Sequence, residues 1–256
     1  MSFYNFDEGP VWDEFKWEDH LNEIEQKSEA LRKFITSDPN GDVPRWVTLI
    51  EENGDKLEAV EAFIEEELLL DDAYFPEDED DWEEEDDDEL EDDFFLSDDY
   101  FSDLEEDEYD DFDAGEEWKE LSDDFTFTEY GSIDNLQVFE NARMYAADVL
   151  KWAELIPTSL QTKQVHEFIT HVLKVTSKLA GGYSFGFEKD MMGGNIAYTK
   201  KALYSANEAL SYLQKMKKEP FIVSSIYVKL HSRLFEIRND IGIYVQELRD
   251  SFYFEM

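Results

Sequence analysis

The sequence predicts an all-α protein with a C-terminal four-helix bundle, a small N-terminal helical region and an intervening acidic disordered segment. Apolar residues recur at steps of three and four along four stretches of the C-terminal half, with no strand-like alternation. Prolines and glycines separate those stretches, where helices are expected to stop. The net charge of -44 is concentrated in one block: residues 71–124 hold 32 acids and one base, Lys119, whereas residues 125–256 hold 15 of each sign.

Residues 1–70 read as the small helical region. Over residues 12–35, Phe15, Leu21, Ile24, Leu31 and Phe34 fall near 3- and 4-residue steps with charges between them, the pattern of an amphipathic helix. The Ser37-Asp38-Pro39-Asn40-Gly41 run breaks it. Helices over 43–52 and 55–70 follow, split by Asn53-Gly54; Asp55 is a natural N-cap, and Leu57, Val60, Phe63, Ile64 and Leu68 share a face. Three short helices build only a small core, so this region is expected to need a partner or to dock on the C-terminal domain.

Residues 71–124 are read as an acidic, aromatic-containing disordered linker. Like charges at this density oppose compaction and leave no helical or strand period. Yet Trp82, Phe94, Phe95, Tyr100, Phe101, Tyr109 and Trp118 interrupt the acids, which a plain spacer of small polar residues does not require. Acids steer an approaching basic surface and aromatics anchor on its apolar pockets, so these seven residues are the candidate partner-binding set.

Residues 125–256 carry the bundle, taken as antiparallel because most of its joins are short. Ser132 is placed to cap a helix bearing Ile133, Leu136, Phe139, Ala142, Tyr145, Ala146, Val149, Leu150, Ala153 and Ile156, which Pro157 ends. A second helix buries Val165, Phe168, Ile169, Val172, Leu173 and Leu179 and closes at Gly181-Gly182. A third spans about residues 195–218 until Pro220. A long fourth aligns Ile226, Leu230, Leu234, Ile237, Ile241, Val245 and Leu248. The connection at 181–194 is the longest join, holding Gly181, Gly182, Gly186, Gly193 and Gly194, and Gly182, Tyr183, Phe185, Phe187, Met191 and Met192 form a possible recognition loop there. It matches neither a phosphate-binding nor a dinucleotide fingerprint.

Several function classes are disfavoured. A salt-adapted acidic coat should extend over every domain, and the C-terminal half is neutral. Phosphate neutralisation needs clustered Lys and Arg, so no direct nucleic-acid binding is expected. The chain has no Cys, which fits a reducing compartment and removes thiolate metal sites. None of His20, His166, His171 and His231 follows a Glu by three residues, so no di-iron Glu-x-x-His pair is present, and no metal or other cofactor is expected. No apolar run of about 18 residues suggests a membrane span, and the cytoplasm is the expected location.

Arg238-Asn239 followed by Tyr244 resembles the Arg, polar residue and His motif of the HEPN ribonuclease superfamily, whose members are also helical bundles. Tyr244 stands near the place of the motif's His, so the resemblance implies a binding-type member without the acid/base group for cleavage. The expected function is therefore a non-catalytic acidic interaction protein: the acidic/aromatic segment binds a basic protein partner and the bundle is its scaffold. The alternative is a regulatory or assembly module, an inactive HEPN-like bundle, with the acidic segment only a tether.

Overall fold

The protein is all-α. A computed structural model of the chain describes residues 11–35, 43–72, 127–128 and 131–254. Among them are seven α-helices: α1 (Glu14–Ile35), α2 (Arg45–Glu52), α3 (Lys56–Asp72), α4 (Gln137–Glu154), α5 (Lys163–Phe185), α6 (Lys189–Lys215) and α7 (Ser224–Phe254). No helix among the described residues is long and apolar enough to cross a membrane.

Side-chain caps set two of the helix starts. Asp13 Oδ1 accepts from the N–H of Phe15 at 3.1 Å and of Lys16 at 2.9 Å, opening α1. Asp55 Oδ1 accepts from Leu57 N–H at 2.7 Å and opens α3 as the sequence predicts. Ser132 Oγ accepts from Asp134 N–H at 3.2 Å, but it caps a 3₁₀ turn, Ile133–Asn135, rather than α4 itself. Leu136 is extended and separates the two. A two-residue antiparallel ribbon, β1 (Phe127–Thr128) with β2 (Gly131–Ser132), precedes this turn; no periodic signal foretells so short a pairing. Gly131, at φ +104°, supplies the left-handed residue that the reversal needs.

The four C-terminal helices pack in chain order, α4 on α5, α5 on α6 and α6 on α7, and α7 returns to α4. Their inward residues are those the helical spacing picks out: Tyr145, Leu150, Phe168, Ile169, Leu173, Leu234 and Ile241 are fully or nearly fully buried. Helix α3 packs on α4 and α5, and its Val60, Phe63, Ile64 and Leu68 enter the same apolar cluster, together with Trp46 and Leu49 of α2. Ion pairs tie the seam: Lys56 to Glu154 at 2.6 Å and Arg143 to Glu61 at 2.7 Å. Helices α2 and α3 thus borrow the core that they are too short to build.

Two expectations change. Of the face expected on α1, Leu21 and Ile24 are buried, Phe15 is 60 % exposed, and the side chains of Leu31 and Phe34 lie outside the described ones; Glu14, Trp17, Leu21, Ile24 and Ser28 turn inward at alternating steps of three and four. The glycine-rich stretch 181–194 is not a long loop either. Helix α5 runs through Gly181 and Gly182 to Phe185 and α6 starts at Lys189, leaving 186–188 as the turn, with Gly186 at φ +85°.

Close packing is the reason. A Cβ on Gly182 would meet Thr199 Oγ1 at 3.1 Å and the Asn195 carbonyl at 3.2 Å, and one on Gly194 would meet the Phe185 ring at 2.5 Å. Each helical Gly costs about 1 kcal/mol against Ala, and the closeness of α5 to α6 offsets that cost. Gly182→Leu should therefore overpack the α5–α6 contact and lower stability by about 1–3 kcal/mol. The readout is a lower urea midpoint at unchanged slope, and an unchanged midpoint would contradict the packing account.

Candidate functional site

The seven aromatic residues expected to bind a partner, Trp82, Phe94, Phe95, Tyr100, Phe101, Tyr109 and Trp118, lie outside the described residues. The six residues expected to form a recognition loop are brought together, but as a packed joint. Gly182, Tyr183 and Met192 are buried, and Phe185, Phe187 and Met191 are half-buried. Tyr183 donates its hydroxyl hydrogen to the Gly131 carbonyl at 3.2 Å and meets Phe187 edge-on at 5.4 Å. Met192 packs with Ile196 and Leu248, while Phe185 and Met191 face α1. Asn195 Nδ2 donates to the Gly186 carbonyl at 3.0 Å, so a buried amide holds the turn closed.

The most developed recognition geometry lies beside this joint, where α1 rests on α6. Trp17, 3 % exposed, meets Phe185 edge-on with ring centroids 5.1 Å apart, and Leu21 and Ile24 continue the contact over Ala197 and Tyr198. Gly193 forms the floor: its missing side chain leaves room for the Trp12 main-chain carbonyl and for Trp17 Cδ1, which a Cβ would approach to 2.8 Å. This apolar cluster is separate from the main core.

Around it the charges are matched. Glu14 is 2 % exposed and takes two hydrogen bonds from Arg249 of α7, Nε to Oε1 at 2.9 Å and an Nη to Oε2 at 2.6 Å. Lys200 reaches Glu14 at 3.1 Å and Glu18 at 2.5 Å. Lys201 binds Glu25 at 2.7 Å and Asn22 at 2.7 Å, and Lys174 of α5 stands 3.8 Å from Glu25. Lys178, 3 % exposed, lies over the Tyr198 ring at 5.3 Å. An acidic helix with an aromatic anchor thus sits on an apolar strip edged by cations from three helices, a hydrophobic centre with a charged rim.

These contacts set proton affinities. Burial alone would push the Glu14 carboxyl up, but hydrogen bonds from Arg249 and Lys200, with their charges, hold it below the usual carboxylate range. At Glu25 burial is likewise outweighed, by Lys178, Lys201 and Lys174. His20, edge-on to Trp12 at 5.6 Å, is lowered mainly by burial, which a nearby Glu23 opposes.

The other histidines serve as packing groups. His166 sits 5.7 Å from Trp46, His171 stacks on Tyr212 at 5.6 Å, and His231 lies between Tyr227 and Phe235 along α7. Burial lowers the proton affinity of His166 and His171. Among the described residues no group of three or more His, Cys, Asp or Glu is arranged to hold a metal ion. Arg238 and Tyr244 are directed apart: Arg238 Nε donates to Asn207 Oδ1 at 3.0 Å, whereas the buried Tyr244 hydroxyl lies against Asn195, twelve positions away on α6. No family model, no curated protein and no solved structure matches the chain.

Sequence reasoning missed Glu14, Trp17 and their five cationic neighbours. The signal was present in part: Glu14, Glu18 and Glu25 follow helical steps beside Trp17, Leu21 and Ile24.

Two outcomes follow from this geometry. Gly193→Ala should drive the Trp12 carbonyl away and raise the rate of tryptic cleavage at Lys16 and Lys27 by about tenfold, since cleavage tracks the open population. Unchanged cleavage would show that the close approach does not matter. The second concerns pH. A released α1 protonates His20 near its ordinary 6.5 and Glu14 and Glu25 near their ordinary 4.5, and the docked helix binds these protons only at lower pH. Docking is therefore strongest above pH 6.5, weakens below it through His20, and weakens further below 4.5 through the two glutamates. The ¹⁹F signal of fluorotryptophan at Trp17 should move towards its solvent-exposed position on that descent; a signal unmoved well below the carboxylate range would refute the linkage.

Proposed function

We propose that the chain is a non-catalytic interaction protein that engages a basic protein partner through residues 71–124, with the helices as its scaffold. The observation that carries this reading is the composition of that segment: 32 acids against one base, interrupted by Trp82, Phe94, Phe95, Tyr100, Phe101, Tyr109 and Trp118. The carboxylates steer a cationic surface and set the salt dependence, while the aromatics supply short-range affinity. Helix α1 supports the reading by analogy within the same chain. There, carboxylates and a tryptophan seat an acidic segment on lysines, an arginine and an apolar strip. A partner of this chemistry is a protein with clustered Lys and Arg around an apolar patch, such as a nucleic-acid-binding protein shielded from its polymer. The absence of cysteine from the sequence suits work in the reducing cytoplasm.

The test compares three chains: the native one, one with the seven aromatics replaced by Ser, and one lacking residues 71–124. Each is used to retain proteins from native lysate and is eluted by rising salt. Basic proteins should be retained by the native chain, released by moderate salt, held at least about tenfold more weakly by the Ser variant and lost with the deletion. The same partners at the same affinity on all three chains would move the function to the helices.

A further inference from the structure

Helix α1 is held as one protein holds another. Its apolar residues Trp17, Leu21 and Ile24 form a cluster of their own with α6 instead of joining the core shared by α2 to α7. Its carboxylates meet cations from three helices: Lys174 of α5, Lys200 and Lys201 of α6, and Arg249 of α7. The floor at Gly193 is shaped for an incoming backbone and an indole ring. A large aromatic anchor in a pocket, one buried carboxylate held by partly exposed cations and a ring of further ion pairs make up the anatomy of a binding interface.

We propose that the face of α5, α6 and α7 covered by α1 is a receptor for an acidic amphipathic helix presented by another protein, and that α1 is its occupant within the chain. Charge complementarity and spacing define the visitor. It needs a Trp, then apolar residues four and seven positions later, as in Trp17, Leu21 and Ile24. It also needs a carboxylate three positions before that Trp to take the Arg249 fork, and one eight positions after it for Lys201 and Lys174. A basic or neutral helix would take from Lys200, Lys201 and Arg249 the carboxylates that α1 gives them at a partly buried face, at a cost that selects against it. Because α1 competes from within the same chain, at the millimolar effective concentration typical of short tethers, the face is available only to a visitor that outcompetes it or when α1 is displaced.

The probe is a labelled peptide of residues 11–35, followed by fluorescence anisotropy. The full-length chain carrying Trp17→Ala and Glu14→Gln has a weakened α1 and an unaltered receptor face. It should bind the peptide at least about tenfold more tightly than the native chain does, and a peptide with Glu14, Glu18 and Glu25 changed to Gln should lose that binding. Equal weak binding to both chains, with α1 of the variant open to trypsin and its helicity kept, would overturn the proposal. Equal affinity of the two peptides would do the same for recognition by charge. Hydrogen exchange of the native chain is a second measurement, independent of whether the variant folds. Amides of α1 should exchange about a hundredfold or more faster than those of α5 and α6, by opening α1 alone. Exchange of all three helices at one common rate would make α1 an integral core helix and refute its role as a displaceable occupant. These outcomes concern α1 and its groove, so they stand or fall separately from the role of residues 71–124.

Discussion

Where α5 turns into α6, the two helices meet with almost no side chain between them. Gly181 lies on the Tyr198 ring, Gly182 on Asn195 and Thr199, and Gly194 on Phe185. That contact fixes the relative position of α5 and α6, and several features depend on it. It brings Lys174 and Lys178 of α5 alongside Lys200 and Lys201 of α6, which makes one cationic edge out of two helices. It also exposes the Gly193 floor on which Trp12 and Trp17 settle. The buried Asn195 amide, bonded to the Gly186 carbonyl and accepting from Thr199 Oγ1 at 3.3 Å, keeps the turn in register. Intrinsic helix propensity opposes this arrangement at four glycine positions, so packing has overridden local preference there.

Charge gives the chain its second constraint. Residues 125–256 carry equal numbers of acids and bases, and on the α5–α7 face the cations are already matched by α1. The 32 acids of residues 71–124 therefore exceed anything the neutral C-terminal half can balance. An unbalanced charge of that size on one segment, studded with aromatic residues, is the physical basis for the proposal of an external basic partner.

Much of the helical architecture was legible in the sequence because apolar spacing is a local property. Leu230, Leu234, Ile237, Ile241, Val245 and Leu248 are buried along α7 as their steps require, and Asp55 opens α3 as its side chain allows. What escaped the sequence depended on distant partners. Trp17, four and seven positions before Leu21 and Ile24, shares their face and Phe15 does not, but the groove floored by Gly193 that receives Trp17 belongs to a helix distant in sequence. Glycine ordinarily marks a loop, so residues 181–194 read as one until the helix facing them is known. The grip of Arg249 on Glu14 links residues 235 positions apart, and no local pattern in a chain with 66 acids singles out that glutamate. The residues expected to bind a partner lie in 71–124, where composition is the guide.

The central claim is that an acidic, aromatic segment and not the helical surface makes the contact with a basic protein. Hydrogen exchange read by mass spectrometry on the full chain, with and without the captured basic partner, tests it directly. The account predicts slowed exchange across peptides from 71–124, centred on Phe94, Tyr100 and Tyr109, with α4 to α7 unchanged. Protection confined to the helices, with 71–124 exchanging as fast as in the free chain, would contradict it.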